Sequence, residues 1–308
     1  MTSVNFVKIL TITGMTLLFW IGSRRYESSD SNEIQPDSQS TALTQKRTVA
    51  LSPSLVEIVY QLECGASLVG VSRFCNYPPD AKYKPVVGGY LDLNLEKVIR
   101  LKPDVVLLLR EQEPQVEHLQ RLGIETHFFD HTSTEAILSS ILKIGTILHK
   151  QTKAESIVSM IEKRMDQLSP LNVSIDRKPR VLISIDRNTE EEQPSALIAA
   201  GAGGVHQEYI ELAGAINAYN GPASYPSLSR ENLIRLNPDF IIELVQKDHW
   251  RSVGEKKLRK QWETYPELKA VQNGRVFFLH EDRHHIPGPR FIETLETISH
   301  ILRSNHSS

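Results

Sequence analysis

The sequence predicts an α/β fold with two Rossmann-like lobes, central mainly parallel sheets and a long backbone α-helix that joins the lobes. Three observations lead to this prediction. Short β-branched runs alternate with amphipathic segments from Arg47 onward, which is typical of strand–helix units around a parallel sheet. The segment 93–104 has a close counterpart at 228–239. Between them, apolar residues recur at helical spacing from Thr134 to Leu168, and the first proline after this stretch is Pro170.

The length and composition indicate a globular protein with more than one domain. A chain of 308 residues exceeds the usual size of a single domain, so two α/β domains of moderate size are expected. Hydrophobic residues make up 40% and charged residues 23%, which is ordinary for a globular protein. The formal net charge is only −2, so the composition gives no indication of a nucleic-acid partner.

The N-terminus carries a targeting signal. A lysine precedes an apolar run over 9–21 that is too short for a comfortable membrane span, which predicts a signal peptide over 1–23. Two arginines follow this segment directly, and they leave an uncleaved membrane anchor as the alternative. Residues 24–46 are rich in Ser, Asp, Gln and Thr, and we expect a disordered linker there.

The remaining chain divides into a first lobe over 47–147, a connecting helix over 148–170 and a second lobe over 171–308. Strands of the first lobe are predicted at 48–51, 68–71, 105–109 and 125–129. Strands of the second lobe are predicted at 180–185, 240–244 and 276–279, and a last helix over 289–302.

The internal repeat predicts the same local structure twice. Asn94 and Ser229 are of the residue types that cap helix N-termini, and Glu96 and Glu231 fall in the first turn, where the helix dipole favours carboxylates. A proline then breaks each helix before an apolar strand. Two lobes of related construction are expected, with a ligand site between them near the carboxyl ends of the strands.

Several blocks carry a resemblance to a known family. They are Leu51-Ser-Pro-Ser54, Leu68-Val-Gly-Val-Ser72 with Asn76-Tyr-Pro-Pro79, the 95–105 block, its counterpart in the second half, and Pro287-Gly-Pro-Arg290. In this order they resemble the solute-binding proteins of vitamin B12, iron-siderophore and haem ABC importers, and most of all the cobalamin-binding type. The resemblance covers about residues 47–302.

The resemblance implies the helical-backbone fold of class III solute-binding proteins, and a binding function without catalysis or a resident cofactor. It also implies a monomer located in the periplasm or otherwise outside the cytoplasm, with an ABC permease and its ATPase as partners. The transported ligand would be a corrinoid, with an iron siderophore or haem as the alternative.

The same resemblance implies roles for individual residues. Glu96 and Glu231 would dock onto arginines of the permease, and the alternative is that they only complement their helix N-termini. The residues expected at the ligand are Phe74, Tyr90, Arg110, Tyr225, Arg283, His284 and Arg290. Tyr90 and Tyr225 stand where vitamin B12 binders often carry tryptophan. For the aromatic residues the alternative is loop packing.

The loop that contains Arg283 and His284 offers several interactions. Arg283 is suited to an anionic siderophore, and His284 or His285 is suited to ligate the metal of a haem or corrinoid. A solvated polar loop is the alternative.

Two cysteines, Cys64 and Cys75, flank the strand at 68–71, and the positions allow a single disulfide between them. Free thiols are the alternative. A catalytic thiol is disfavoured because no cysteine–histidine signature accompanies either residue.

Other functional classes find weaker support. The glycine-rich segment 201–204 precedes a helix, but it lacks the Lys-Ser/Thr of a P-loop and the spacing of a dinucleotide-binding fingerprint. The alternative that the chain is an α/β enzyme therefore has no sequence motif to support it. A zinc or manganese importer subunit would need ligands, and the histidines on offer show no ligand spacing: His127, His131, His206 and His280. An uncleaved N-terminus would also suit a membrane-tethered sensor.

Overall fold

A computed structural model describes residues 45–89, 92–115, 117–168, 177–190 and 194–306. They belong to one compact unit that runs from Thr44 to Ser308. The predicted signal peptide or anchor and Tyr90 lie outside the described residues, as does the predicted linker apart from its last two positions. In the described ranges, no helix combines the length and the apolar character that crossing a bilayer requires.

The first half contains four strands and four helices. In chain order they are β1 Thr48–Ala50, α1 Pro53–Gln61, β2 Leu68–Val71, α2 Leu95–Arg100, β3 Val105–Leu109, α3 Glu117–Arg121, β4 Glu125–Phe129 and α4 Thr134–Ile147. The strands form a parallel sheet in the order β2-β1-β3-β4. Alternate residues of β3 serve two apolar clusters: Val105 and Leu107 pack with α1 and α4, whereas Val106 and Leu108 pack with α2 and α3. The sheet is therefore covered on both faces, as a parallel sheet requires.

The connection between the halves follows the helical spacing from Thr134 to Leu168, and its second helix lies within the connecting segment predicted at 148–170. It consists of α4 and a second helix, α5 Gln151–Gln167, and the chain reverses at His149, whose φ of 57° is left-handed. Gly145 allows the two helices to approach, because a Cβ atom there would lie 2.4 Å from the Cβ of Ala154. Sequence periodicity does not detect this break, since both helices keep their apolar spacing on either side of it.

The second half contains a six-stranded, mainly parallel sheet. Its elements are β5 Arg180–Asn188, β6 Ser195–Ala199, α6 Val205–Leu212, β7 Ile216–Asn217, β8 Ser227–Leu228, α7 Arg230–Leu236, β9 Phe240–Leu244, α8 Lys247–Val253, α9 Glu255–Trp262, α10 Lys269–Gln272, β10 Val276–Leu279 and α11 Phe291–His306. The strand order is β10-β9-β5-β6-β8, with β7 beside β5. Strand β5 is parallel to β7 and β9, and β9 is parallel to β10, whereas β6 pairs antiparallel with β5 and β8.

The internal repeat forms the same arrangement in both halves. Helix α2 leads into β3, and α7 leads into β9. The aspartate before each strand accepts a hydrogen bond from the backbone of the half's first strand: Asp104 from Arg47 N at 2.7 Å, and Asp239 from Arg180 N at 2.9 Å. These two hydrogen bonds place the helix–strand unit in an equivalent position beside β1 in the first half and beside β5 in the second.

The two halves share one apolar core. A single cluster of buried side chains includes Leu55 and Ile144 from the first half and Ile183 and Phe291 from the second. The halves are therefore packed against each other, and the carboxyl-end loops of the two sheets lie at the region of contact described next.

Candidate functional site

The carboxyl-end loops of the two sheets meet along a surface that we call the seam, made of Ser54, Glu57, Tyr77, His131 and residues 287–290. Its central contact is a buried ion pair in which Arg290 Nε and Nη2 donate to the two carboxylate oxygens of Glu57 at 2.9 and 2.6 Å. The Tyr77 ring lies 3.8 Å from the guanidinium carbon of Arg290. Burial raises the pKa of Glu57 and the arginine opposes this shift. The bidentate geometry fixes one half against the other.

A serine–histidine contact lies beside this ion pair. Ser54 Oγ is 2.9 Å from His131 Nδ1 and 2.9 Å from Ser52 Oγ. Burial lowers the pKa of His131 to about 4, so the imidazole is neutral at pH 7. A general base works best with a pKa near the operating pH, and His131 is far too weak a base for that task. Ser54 and His131 are therefore packing partners at the seam, where Gly288 approaches Ser54 closely.

Two further polar contacts join the halves away from the centre of the seam. Glu208 Oε2 of α6 accepts hydrogen bonds from Thr134 N at 2.7 Å and Thr134 Oγ1 at 2.8 Å, at the first turn of α4. Arg164 of α5 forms a bidentate pair with Glu296 of α11 at 2.9 and 2.6 Å. The relative position of the halves is thus fixed by polar contacts as well as by the shared core.

A cavity of about 390 Å³ lies at the carboxyl ends of β5 and β9. This volume is within the range of small-molecule sites, and the edge of a parallel sheet where strands end is where such sites usually form. Its wall is mostly polar, and the side chains that matter for its chemistry are Asp186, Arg187, Glu243, Gln246, His249 and His285.

A second buried ion pair forms part of the cavity wall. Arg187 Nε donates to Glu243 Oε1 at 2.8 Å, Arg187 Nη1 donates to Gln261 Oε1 at 2.9 Å, and Trp262 Nε1 donates to Glu243 Oε2 at 2.6 Å. Burial raises the pKa of Glu243, and Arg187 opposes this shift. Arg187 Nη2 is buried and has no hydrogen-bond partner. Buried donors are nearly always paired, so this nitrogen is an exception among the described side chains.

His285 supplies a second unpartnered nitrogen to the cavity wall. The Val245 backbone N–H already donates to Leu279 O at 2.9 Å, so only the Val245 carbonyl is left for the hydrogen bond with the His285 ring. Nε2 of His285 is buried without a partner, which assigns this bond to Nδ1 as donor. Burial lowers the pKa of His285, so Nε2 carries a free lone pair at neutral pH.

The structure places the predicted first-half residues near the carboxyl end of their sheet. Phe74 follows β2, has a left-handed φ of 71° and exposes 71% of its surface. Arg110 follows β3 directly and is exposed. Tyr225 of the second half, on the loop between β7 and β8, is 61% exposed. Single exposed aromatic side chains are common on protein surfaces, so the role of these residues at the ligand stays a prediction.

The other predicted second-half residues are engaged elsewhere. Arg283 Nη1 contacts Glu281 at 2.9 Å and Glu293 at 3.3 Å, and Arg290 belongs to the seam. His284 is buried, with Nδ1 3.0 Å from Thr294 Oγ1, and burial lowers its pKa to about 4.

His285, one residue further, lines the cavity together with His249. The short 3₁₀ turn Asp282–His284 explains this difference, because consecutive side chains of a 3₁₀ turn point about 120° apart.

The two glutamates of the internal repeat occupy equivalent exposed positions. Asn94 Oδ1 accepts from Lys97 N at 2.9 Å, and Ser229 Oγ accepts from Asn232 N at 3.3 Å, so both helices begin with the predicted cap. Glu96 and Glu231 lie in the first turns of α2 and α7 and are exposed. A backbone hydrogen bond and the Ser229 hydroxyl lower the pKa of Glu231.

The structure does not form the disulfide that the sequence allowed. Cys64 and Cys75 are both free and buried, with Cys75 Sγ 3.5 Å from Ser72 Oγ. The two cysteines lie beyond opposite ends of β2, whose four residues place the Cα atoms of its ends about 10 Å apart, more than the roughly 4.4–6.8 Å between Cα atoms of a bridge. Burial raises the pKa of Cys75 to about 11.

Sequence reasoning did not assign roles to Glu57, Arg187 and Glu243, and it considered His131 and His285 only as possible metal ligands. A signal was present for two of them, because Glu57 and Glu243 interrupt apolar runs that are otherwise buried. A buried carboxylate requires a partner, but only the folded chain reveals which arginine provides it.

The histidines of the rival metal site do not come together. His127 Nε2 contacts Glu125 Oε1 at 2.6 Å, and His280 stacks on Trp250 with ring centroids 4.3 Å apart. Among the described residues there is no group of three side chains arranged to hold a metal ion.

Two mainly parallel sheets, a helical connection and a cavity at strand ends define the helical-backbone class of solute-binding proteins. The model of a family described as periplasmic binding protein matches residues 48–283. The chain belongs to this periplasmic binding protein family. Members of this kind bind solutes and are not enzymes, and they have no resident cofactor.

Individual relatives agree with this assignment. A vitamin B12-binding protein of Photorhabdus laumondii is 27% identical over 264 residues, which cover 85% of this chain and 89% of that protein. An uncharacterized ABC transporter substrate-binding lipoprotein of Bacillus subtilis is 27% identical over 82% of this chain and 79% of its own length. The solved periplasmic heme-binding protein of Vibrio cholerae superposes with a TM-score of 0.71 at 20% identity, covering 83% and 98% of the two chains.

Proposed function

We propose that this chain is the substrate-binding component of an ABC importer and that it carries a corrinoid of the vitamin B12 type to a membrane permease. The observation that carries the proposal is the polar cavity at the carboxyl ends of β5 and β9 in a member of this family. The names of the relatives from Photorhabdus laumondii and Bacillus subtilis support the ligand and the transporter partner, respectively.

We propose that exposed aromatic side chains meet the apolar faces of the ligand. Phe74 and Tyr225 are suited to this role because each leaves more than half of its surface in solvent. Arg110, at the end of β3, is suited to a polar contact on the first-half side. Tyr90 stays a prediction of the same kind. Arg283, His284 and Arg290 are proposed to support the site by positioning its loop, since their side chains already have partners.

Haem or an iron siderophore is the alternative ligand. The fold shared with a heme-binding protein and the free lone pair of His285 Nε2 favour a metal-bearing ligand in general.

The location is proposed to be periplasmic or extracytoplasmic, with residues 1–23 as signal or anchor. The lobe boundaries at 47–147 and 171–308 are proposed on the sequence pattern.

A ligand panel tests the proposal. Thermal unfolding and calorimetry would be measured with cyanocobalamin, cobinamide, haem and ferric siderophores. A ligand that binds only the native state raises the free energy of unfolding by about 2.7 kcal/mol at a concentration one hundred times its Kd. Stabilisation by the cobalamins is expected. The absence of a shift with every compound would overturn the transport function, and a shift with haem alone would replace the corrinoid by the alternative.

Aromatic variants test the binding surface. Phe74→Ala and Tyr225→Ala are expected to weaken cyanocobalamin binding by about fivefold each, because each removes a stacking surface worth roughly 1 kcal/mol. Tyr83→Ala is the matched control, since Tyr83 is 86% exposed and is not assigned to the ligand. If all three variants bound cyanocobalamin with equal affinity, Phe74 and Tyr225 would not be part of the binding site.

Charge reversal tests the permease contact. The double variant Glu96→Lys and Glu231→Lys is expected to abolish uptake in cells while cyanocobalamin affinity in solution stays unchanged, because exposed charges at an interface mainly determine orientation and encounter rate. Glu255→Lys, on the first turn of α9, is the control. Normal uptake by the double variant would show that the glutamates only stabilise their helices.

A further inference from the structure

Helix α9 divides its side chains between a buried side and a basic side. Leu258 and Trp262 are buried in the second half. Lys256, Lys257 and Lys260 are exposed. Because residues three and four positions apart share one side of a helix, these lysines form a single surface, which we call the basic face.

The charge of the basic face is not balanced by nearby acids. Among the described residues, no carboxylate forms an ion pair with any of its three lysines. Two acids of the same segment are engaged by arginines, since Glu255 contacts Arg259 at 2.6 Å and Asp248 contacts Arg251 at 3.5 Å. Residues 247–263 hold six basic and three acidic side chains, a local charge of +3 in a chain whose formal net charge is −2. Positive charge is therefore concentrated at α8 and α9.

The basic face is a neighbour of the proposed permease contact. The chain that leaves α9 returns to the start of α7, where Arg230 Nη2 donates to Thr264 O at 3.2 Å. The guanidinium carbon of Arg230 also lies 4.3 Å from the centre of the Tyr265 ring. The next residue is Glu231, which is proposed to dock onto the permease. A permease lies in a bilayer, so the surface beside its docking contact comes close to lipid head groups.

We infer that the basic face binds the anionic phospholipid surface around the permease. Clusters of basic side chains are attracted to anionic head groups, and this attraction requires no shape complementarity. Lysine suits such a surface, because it is a flexible, strongly hydrated point charge. The inference rests on the proposed function, since import brings the chain to a membrane, and it adds the lipid as a second partner.

Lysine footprinting on the full chain tests the inference. Acetylation rates would be measured by mass spectrometry with vesicles of phosphatidylcholine alone and with mixed vesicles of phosphatidylcholine and phosphatidylglycerol. On the mixed vesicles, acetylation of the basic face is expected to slow at least fivefold relative to phosphatidylcholine. Lys143 and Lys163, which are exposed on α4 and α5, are the internal reference and are expected to react equally with both. Any contact of residues 1–23 with lipid leaves this local comparison unchanged, because each lysine is measured separately.

A charge-reversal variant tests the contribution of the lysines. Each basic residue near an anionic surface contributes about fivefold to the affinity. The gain in vesicle binding on addition of phosphatidylglycerol is therefore expected to fall at least tenfold in the triple variant Lys256→Glu, Lys257→Glu and Lys260→Glu. The control has the same change in net charge and is expected to alter this gain less than twofold: Lys143→Glu, Lys150→Glu and Lys163→Glu. Urea unfolding shows whether either triple variant has lost its fold, and footprinting of the wild type does not depend on them.

The outcomes separate the inference from the proposed function. Equal acetylation of the basic face on the two kinds of vesicle, or an equal loss in both triple variants, would overturn the lipid contact. Protection that requires reconstituted permease and is absent on lipid alone would also overturn it and assign the basic face to a protein. Cyanocobalamin affinity is expected to stay unchanged in the triple variant of the basic face. A failure of every compound in the ligand panel to bind would overturn the proposed function, whatever the footprint shows.

Discussion

Two buried arginine–glutamate pairs lie at the carboxyl ends of the two sheets, and they have the same chemistry with different connections. The pair of Glu57 and Arg290 joins residues 233 positions apart and ties one half to the other. The pair of Arg187 and Glu243 lies within the second sheet and beside the cavity. The first arginine makes a bidentate contact with one carboxylate, whereas the second divides its nitrogens between a carboxylate and an amide.

The difference lies in how completely the two guanidinium groups are hydrogen-bonded. In the seam, a bidentate contact and an aromatic ring hold the guanidinium of Arg290. In the cavity, Arg187 is held equally firmly but keeps one donor without a partner. A preorganised side chain with an unused donor loses little conformational entropy when a ligand arrives. The comparison leads to four predictions, in order of decreasing effect.

The largest effect is expected for Glu57→Gln. Removing this carboxylate leaves Arg290 as a buried charge without compensation, which costs about 3–5 kcal/mol. Urea unfolding measures the change. Glu255→Gln, which breaks the exposed pair with Arg259, is the control and is expected to cost about 0.5 kcal/mol or less. Similar values for the two variants would contradict the role of the seam as the main polar tie between the halves.

Acidification is expected to weaken the seam through His131. The folded pKa is about 4 and the ordinary value is 6.5, so between these pH values the unfolded chain binds a proton that the folded chain does not. Stability is therefore full above pH 6.5 and falls by about 2–3 kcal/mol as the pH drops toward 4.

His131→Asn, which keeps an acceptor near the position of Nδ1, is expected to reduce this pH dependence in urea unfolding. His118→Gln, at an exposed position of α3, is the control. An unchanged slope in His131→Asn would show that other groups cause the acid sensitivity.

A smaller effect is expected for Glu208→Gln. The carboxylate accepts two hydrogen bonds from Thr134 across the halves, and replacing the charged acceptor by an amide is expected to cost about 1–2 kcal/mol. Chemical unfolding measures it, with Glu211→Gln on the same helix as the control. If Glu208→Gln lowered the free energy of unfolding as much as Glu57→Gln, the polar stabilisation between the halves would be distributed along the whole contact and would not be concentrated in the seam.

The smallest effect concerns thiol labelling. Burial and a raised pKa of about 11 make Cys75 unreactive toward iodoacetamide in the native protein. Because Cys75 lies near Glu57, opening of the seam in Glu57→Gln is expected to increase its labelling rate by about tenfold, with Cys64 as the internal reference. Detection of two free thiols after unfolding is also expected, and a disulfide in the unfolded protein would contradict it.

The features that local sequence determines were predictable. The internal repeat led to the two sheets and to the caps at Asn94 and Ser229, because capping, dipole and proline signals depend only on neighbouring residues. The fold class followed from the alternation of strands and helices. The interruption at His149 was not predictable, since a left-handed residue between two amphipathic helices leaves no trace in the apolar spacing.

The candidate site was only partly predictable, because its contacts join residues far apart in the chain. Phe74 and Tyr225 were found from the resemblance, and both are exposed as a binding surface requires. His284 was predicted at the ligand, but His285 lines the cavity, because the direction of the side chains in one 3₁₀ turn differs from residue to residue. The pairing of Arg187 with Glu243 depends on the register of β5 beside β9, which no local pattern specifies.

The reversal at His149 has a consequence for how closely the two helices of the connection approach each other. Only α5, with 17 residues and a length of about 25 Å, runs from the reversal toward the second sheet, because α4 folds back against it. Any side chain at position 145 would force the two helices apart and change the angle at which α5 leaves the first half. The close packing of α4 against α5 therefore depends on the absence of a side chain at Gly145.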